Sequence, residues 1–223
     1  MEANKSTGEF SLSFNNKEYI FKPSFKNIAK IGTPTDIVNV YSVLFGKEVT
    51  FLLNESLKAN EDVQAYALNI AFSPVIGRKI LSCALTILNA CNDSDLSGIF
   101  GYYKPSDNGM VYRIGAVNTK DVIALAKHLA LHGIIGNIDL KTKENKRSEY
   151  TSEFDVEEYI SAARCHFGLS RADAENLTMT EFQMLIKSKY PEQQKKSTLF
   201  TEEEYDQIME DYYKNREQTL KNN

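Results

Sequence analysis

The sequence predicts a mainly α protein: an N-terminal β-hairpin packed on a helical body, followed by a small separate helical module and a C-terminal helix. Three observations predict this. Apolar and polar residues alternate only near the start, at Phe10, Leu12 and Phe14 and again at Tyr19 and Phe21. Beyond residue 25 the apolar residues recur three and four apart, the period of an amphipathic helix. Ser, Thr, Pro and Gly then fall where such helices should start and stop. The resulting organisation is a hairpin-plus-helix domain over 1–138, a polar linker at 139–152, a three-helix module over 153–191, and a second linker with an acidic helix over 192–223.

The two alternating runs flank Asn15-Asn16, a pair suited to a tight hairpin turn. An isolated hairpin is marginal in water, so its apolar face needs a helical floor. Pro23 ends the second strand, Ser24 caps a short helix from Phe25 to Ile31, and Gly32 ends it. Thr33-Pro34-Thr35-Asp36 opens the next helix with a cap, a proline at the first position and an acid in the first turn. Its stripe is Ile37, Val38, Val40, Tyr41, Leu44 and Phe45, and Gly46 stops it. Val49 to Leu57 reads as helix against the β-propensity of Val-Thr-Phe. Asp62 to Phe72 forms one helix, Ser73-Pro74 restarts the chain, and Val75 to Cys91 forms another. The last is apolar on most sides, which predicts a central buried helix.

Residues 92–118 break the rhythm with five residues of Gly or Pro, leaving a loop in which Met110 to Ile114 can pair briefly as a strand. Tyr102, Tyr103 and Tyr112 make this loop aromatic as well as flexible, a combination that suits a binding surface; the competing reading is that the tyrosines lid the core. Thr119 caps a helix from Lys120 to His132, which ends at Gly133.

The module over 153–191 is the most heavily punctuated part of the chain. Ser152 or Asp155 caps a helix with stripe Val156, Tyr159, Ile160, Ala163 and Phe167, and Gly168 ends it. Ser170 starts a short turn. Thr178 and Glu181 are spaced as a capping box, with Leu177 and Phe182 placed as a hydrophobic staple. Pro191 closes the unit. A final helix runs from Thr201 to about Leu220 on a thin stripe that includes Tyr205 and Tyr212. A helix so polar either frays alone or docks on a partner.

Composition narrows the function. Residues 1–150 carry 17 Lys+Arg against 15 Asp+Glu, and residues 151–223 carry 9 against 15. An acidic C-terminal third argues against nucleic acid as a partner, since phosphate binding needs clustered cations. No apolar run reaches the length of a membrane span, and the N-terminus lacks a signal-like pattern. Cys83, Cys91 and Cys165 form no CxxC pair; reduced thiols in a cytoplasmic protein are expected. His128 and His132 stand at i and i+4, but Leu129 occupies the place of a zincin glutamate, so a packed or helix-capping pair is expected rather than a metal site. No nucleophile elbow, phosphate loop or acid–base pair emerges. The expectation is a non-enzyme that needs no cofactor.

The hairpin, helical body, linker and A-A-R-C-H-F-G-L-S…L-T-M-T-E-F unit together resemble the tail assembly chaperones of tailed bacteriophages. The resemblance rests on Gly8-Glu9 through Phe25, Ile31-Gly32 with Ile37-Val38, the Ala126–Gly136 stretch, Gly168-Leu169-Ser170, and Leu177-Thr178-Met179-Thr180-Glu181-Phe182. It implies a non-catalytic assembly factor that binds the tape measure protein and helps recruit tail tube subunits. The acidic 151–223 region would then be a frameshift-derived extension or part of a single reading frame. Such a protein would act in the host cell cytoplasm, could self-associate, and would be absent from the mature virion. A minor virion structural protein, such as a tail completion or connector subunit, is the alternative. Partner contacts are expected at Tyr102, Tyr103, Tyr112, Tyr159, Phe167, Leu169, Phe182, Tyr205 and Tyr212.

Overall fold

The computed structural model describes residues 2–4, 7–107, 109–138 and 153–189. The linker at 139–152 and the helix expected over 201–220, with Tyr205 and Tyr212, lie outside the described residues. The chain divides into two compact units, Met1–Leu185 and Ile186–Asn223; of the second, only Ile186–Lys189 are described, as the end of a helix.

The hairpin forms where the alternation places it. Strands β2 (Phe10–Phe14) and β3 (Lys17–Phe21) run antiparallel, with Phe10 opposite Phe21 and Phe14 opposite Lys17. Asn15 and Asn16 take φ of +49° and +59°, the consecutive left-handed pair that a two-residue hairpin turn requires and that asparagine tolerates. A two-residue strand that the pattern did not reveal, β1 (Glu2–Ala3), adds to the other edge of β2. The rings of Phe10 and Phe21 stack at 4.6 Å, and Phe21 meets Phe100 edge-on at 5.7 Å. All three are fully buried, so the helical body is the floor that the hairpin needs.

Helix α1 (Phe25–Ile28) is capped by Ser24 and tightens into a 3₁₀ turn over Ala29–Ile31. Helix α2 (Pro34–Leu44) opens with a complete capping box: Thr33 N–H donates to Asp36 Oδ2 at 2.9 Å, and Asp36 N–H donates to Thr33 Oγ1 at 3.3 Å. Helices α3 (Lys47–Ser56) and α4 (Glu61–Ala71) follow and pack on each other, the second capped by Asn60. Helix α5 (Pro74–Ala90) starts at Ser73-Pro74. Its C-terminal half is the central helix that its composition predicts, with Leu81, Ala84, Leu85, Ile87 and Leu88 buried. Its first turns, around Pro74 to Lys79, are largely exposed instead.

The glycine-rich stretch is more ordered than a loop. A single helical turn, α6 (Ser97–Phe100), leads into an antiparallel hairpin of β4 (Tyr102–Ser106) and β5 (Gly109–Arg113). Helix α7 (Thr119–Ala130) packs along α5. Its cap is Asn118 rather than the expected Thr119: Asn118 Oδ1 accepts the Asp121 N–H at 3.0 Å. The helix then widens into a π turn over Leu131–Ile135.

The punctuation of residues 155–189 reads true. Asp155 caps α8 (Val156–Phe167), Gly168 ends it at φ +68°, and Ser170 caps α9 (Arg171–Glu175). Thr178 and Glu181 form their box before α10 (Met179–Lys189), with bonds of 2.8 and 3.2 Å. The independence expected of this module is not found over 153–185, which belong to the same compact unit as the body. Phe25 N–H donates to the Leu177 carbonyl at 2.8 Å, and Ser24 and Thr178 form an isolated antiparallel bridge. The Phe25 ring lies 5.7 Å from Tyr159 and 6.0 Å from Phe182. Phe154 joins this cluster against Tyr159 at 5.0 Å. Capping residues set where helices begin; they carry no information on which face then packs.

Emptying this cluster should therefore unfold everything in one step. Phe25→Ala is expected to lower stability by about 3–5 kcal/mol, with one cooperative urea transition for the whole body. Separate transitions for 1–138 and 153–185 would contradict the joint core.

Candidate protein-interaction surface

An apolar helix is normally an interior helix, and α4 departs from that rule. Only Ala67 on it is buried. By helical spacing, Val63, Tyr66 and Ile70 flank one side of the Ala67 line, and Leu68 and Phe72 flank the other. Tyr66 and Phe72 are 68% and 82% exposed. The helix packs chiefly on α3, which adds Phe51, also 68% exposed. Leu57 in the connecting turn and Val75 at the start of α5 are exposed too. Isolated exposed apolar side chains are ordinary, but this many on one helix pair and its flanking turns make it the candidate interaction surface.

Residues 63–77 contain no charged side chain. Glu61 and Asp62 precede that run and Arg78 and Lys79 follow it. Lys79 pairs with Glu48 at 2.8 Å. Glu61, Asp62 and Arg78 have no ion-pair partner among the described residues. No single helix there is long and apolar enough to cross a membrane; α4 and α5 pass that test only as a pair, across a 41° bend.

The β4–β5 hairpin adjoins the start of α5, because the Tyr103 hydroxyl donates to the Arg78 carbonyl at 3.1 Å. The structure brings two of the three expected tyrosines together. Tyr103 and Tyr112 are a cross-strand pair with rings 5.4 Å apart. The Tyr112 hydroxyl donates to the Phe100 carbonyl. Burial pushes both phenols above their ordinary pKa. Tyr102 is opposite Arg113, on the other face of the hairpin, and is exposed. Val111, opposite Lys104, is exposed on the same face as Tyr102, and Met110 and Ile114 are exposed elsewhere on or just after the hairpin.

The candidates in the 155–182 stretch divide differently. Phe182 is 5% exposed and touches Phe25, Tyr159 and Phe167. Tyr159 and Phe167 are half-buried in the same cluster, so these rings serve mainly as internal packing. Leu169 is half-buried at the rim of an open cleft of about 350 Å³ shared with Ser161, Arg164, Cys165 and Gly168. The surface on α3, α4 and early α5 was not anticipated from sequence. The uncharged run over 63–77, in helices with few burying neighbours, is the signal that could have found it.

Under the α8–α10 segment lies a second feature, a polar knot. His132 is buried, and its Nδ1 is 2.9 Å from Thr180 Oγ1, which also accepts the Asn137 N–H at 3.2 Å. Gln183 Nε2 donates to the Ile135 carbonyl at 2.7 Å, and Gln183 Oε1 accepts the Ile138 N–H at 3.3 Å. Gly136 takes φ +83°, and a Cβ there would sit 2.0 Å from Gln183 Oε1. Gly8, at φ +81°, approaches His132 as closely. The His128 ring lies 4.7 Å from that of His132. Burial lowers both pKa values from the ordinary histidine range; the Gly8 backbone bond partly opposes this at His128, and the neighbouring His128 charge reinforces it at His132. No group of three or more His, Cys, Asp or Glu side chains suited to a metal occurs among the described residues.

A family model matches residues 21–207, most of the chain, and its description is a family of unknown function, DUF6246. The chain belongs to that family. No curated protein and no solved structure matches it. In this DUF6246 protein the matched region begins at the last residue of β3 and takes in the exposed α3–α4 pair, the β4–β5 hairpin and the α8–α10 segment.

The histidine knot gives the DUF6246 chain a pH dependence of definite sign. The folded-state values lie below the ordinary 6.5, so the unfolded chain takes up protons first as pH falls. The stabilisation from neutral histidines is complete above about pH 6.5 and is lost as pH drops through the lowered folded values. Urea midpoints should thus fall between pH 7 and 5, and His128→Phe with His132→Gln should flatten that slope. An unchanged slope in the double variant would contradict this origin.

Proposed function

We propose that the protein is a non-catalytic assembly chaperone for phage tails, holding an apolar helical segment of the tape measure protein until tail tube subunits replace it. The observation that carries this reading is the exposed apolar surface of α3, α4 and the start of α5. A chaperone of this kind needs a solvent-facing apolar surface on a separately stabilised body, and helix-on-helix docking is the natural mode for a long helical client. Phe51, Tyr66 and Phe72 are the anchors expected to matter most, since large aromatic side chains dominate such contacts. Tyr102 and the exposed residues beside it on the β4–β5 hairpin would extend the surface toward tube subunits. The resemblance through Gly168-Leu169-Ser170 and the Leu177–Phe182 box supplies the identity of the client.

Co-expression with the tape measure protein encoded by the same genome tests the reading. Wild type should co-purify with it, and Phe72→Glu should reduce recovery at least tenfold while leaving the unfolding free energy from urea titration within about 0.5 kcal/mol, as for other exposed positions. Equal recovery by the variant would remove the surface from the account. Mass spectrometry of purified virions separates the alternative: a chaperone is missing from particles, whereas a tail completion or connector subunit remains in them.

A further inference from the structure

We propose that the outer edge of β5 takes up an extended, acidic partner segment as a third strand of the β4–β5 hairpin. This edge is separate from the α4 surface, and the proposal does not rest on the chaperone reading.

The backbone supplies the first argument. β4 and β5 make a sheet of two strands, so each has one edge without a ladder. Bonds in an antiparallel pair pass through alternate residue pairs, and the residues between turn their N–H and C=O outward. Pro105 opposes Met110 and has no N–H to exchange. The ladder bonds therefore belong to Tyr102–Arg113, Lys104–Val111 and Ser106–Gly109. The outward groups are those of Tyr103 and Pro105 on β4, and of Met110 and Tyr112 on β5. Proline leaves the β4 edge short of a donor, a common way of blunting an edge strand. The β5 edge keeps its donors and acceptors, and no backbone bond from another element reaches them among the described residues. Such an edge is a template for strand addition.

The edge is also held in place. The Tyr103 hydroxyl donates to the Arg78 carbonyl at 3.1 Å, and the Tyr112 hydroxyl to the Phe100 carbonyl. A Cβ on Gly101 would collide with the Arg113 carbonyl, and one on Gly115 with the Ile99 carbonyl, so the base of the hairpin is close-packed against α6. An edge fixed in advance costs a partner less ordering than a mobile one.

Side chains then select the partner. Tyr102, Lys104, Val111 and Arg113 are exposed and share one face of the hairpin. Lys104 and Arg113 form no ion pair among the described residues, and Asp107 in the turn is the hairpin's single acid. A strand beside β5 gains from an acid near Arg113 on this face, and from apolar residues against Met110 and Tyr112 on the other. A second copy of this chain fits less well. Two β5 strands paired about an axis normal to the sheet would gather the unpaired Lys104 and Arg113 of both copies on one face.

Fluorescence anisotropy tests this, with the full chain and a labelled peptide of about eight residues alternating glutamate and valine, at about 0.15 M salt. Wild type should bind it saturably. It should not bind the same peptide N-methylated at every residue, which keeps the side chains and lacks the donors. Met110→Pro removes one outward N–H and spares the ladder bonds; it should weaken binding at least tenfold. Arg113→Glu should do the same, and should bind the lysine–valine counterpart of the peptide instead. Circular dichroism verifies the fold of each variant, and Phe72→Glu on the α4 surface should bind the peptide as wild type does. No saturable binding by wild type, equal binding of the N-methylated peptide, or wild-type affinity in Met110→Pro or Arg113→Glu would each overturn the proposal. So would loss of binding in Phe72→Glu, or a free chain that sediments as a dimer which Met110→Pro dissociates. Failure of tape measure capture by a chain that binds the peptide as described would count against the chaperone reading alone.

Discussion

The contact on which the structure depends is the seating of Phe25 beneath the α8–α10 segment. Its amide donates to Leu177, its neighbour Ser24 bridges to Thr178, and its ring is enclosed by Tyr159 and Phe182. Residues more than 130 positions apart are thereby joined in one core, and the body cannot be assembled without its last helices. Thr178 is fully buried, so its hydroxyl and amide must find partners within the protein; the Glu181 box supplies them. The His132–Thr180 contact and the Gln183 bonds to the π turn seal the same junction from the other side. One consequence is practical: truncation near residue 150 would strip Phe154, Tyr159 and Phe182 from the core, so surface variants test function more cleanly than deletion.

Closing the body in this way leaves α3 and α4 outside it. The hairpin sheet is covered by Phe100, α5 is covered along its C-terminal half by α7, and α1 is covered by α8 and α9. α4 has chiefly α3 to pack on, which cannot cover both flanks of an apolar helix. The exposed Tyr66 and Phe72 are then left as a cost in water. A stably packed body and an unsatisfied arm are two properties of one division of apolar residues: those of α5 and α7 make a core, and those of α4 make a surface.

Much of the fold is legible in the residues because it is written locally. Asn15-Asn16, the Thr33–Asp36 box, Ser73-Pro74, Gly168, Ser170 and Thr178–Glu181 each act within three or four residues, and each is found in its expected role. What was not legible depends on distant contacts. β1 needs the edge of β2 to exist as a strand; the burial of Thr178 and Phe182 needs α1; the π turn needs Thr180 and Gln183 to receive its backbone groups. The exposed apolar surface of α4 was not legible for the same reason. Aromatic residues drew attention to Tyr159, Phe167 and Phe182, yet an amphipathic stripe reads alike whether it faces a core or a partner. Helix α4 lacks such a stripe, and that lack was the informative feature.

Hydrogen–deuterium exchange of the full chain, with and without saturating tape measure protein, reads the central claim most directly, because protection is reported segment by segment. The account predicts that client binding protects residues 57–78 and leaves α1, α7 and α8 unchanged. Protection confined to the α8–α10 segment, with 57–78 unaffected, would contradict it.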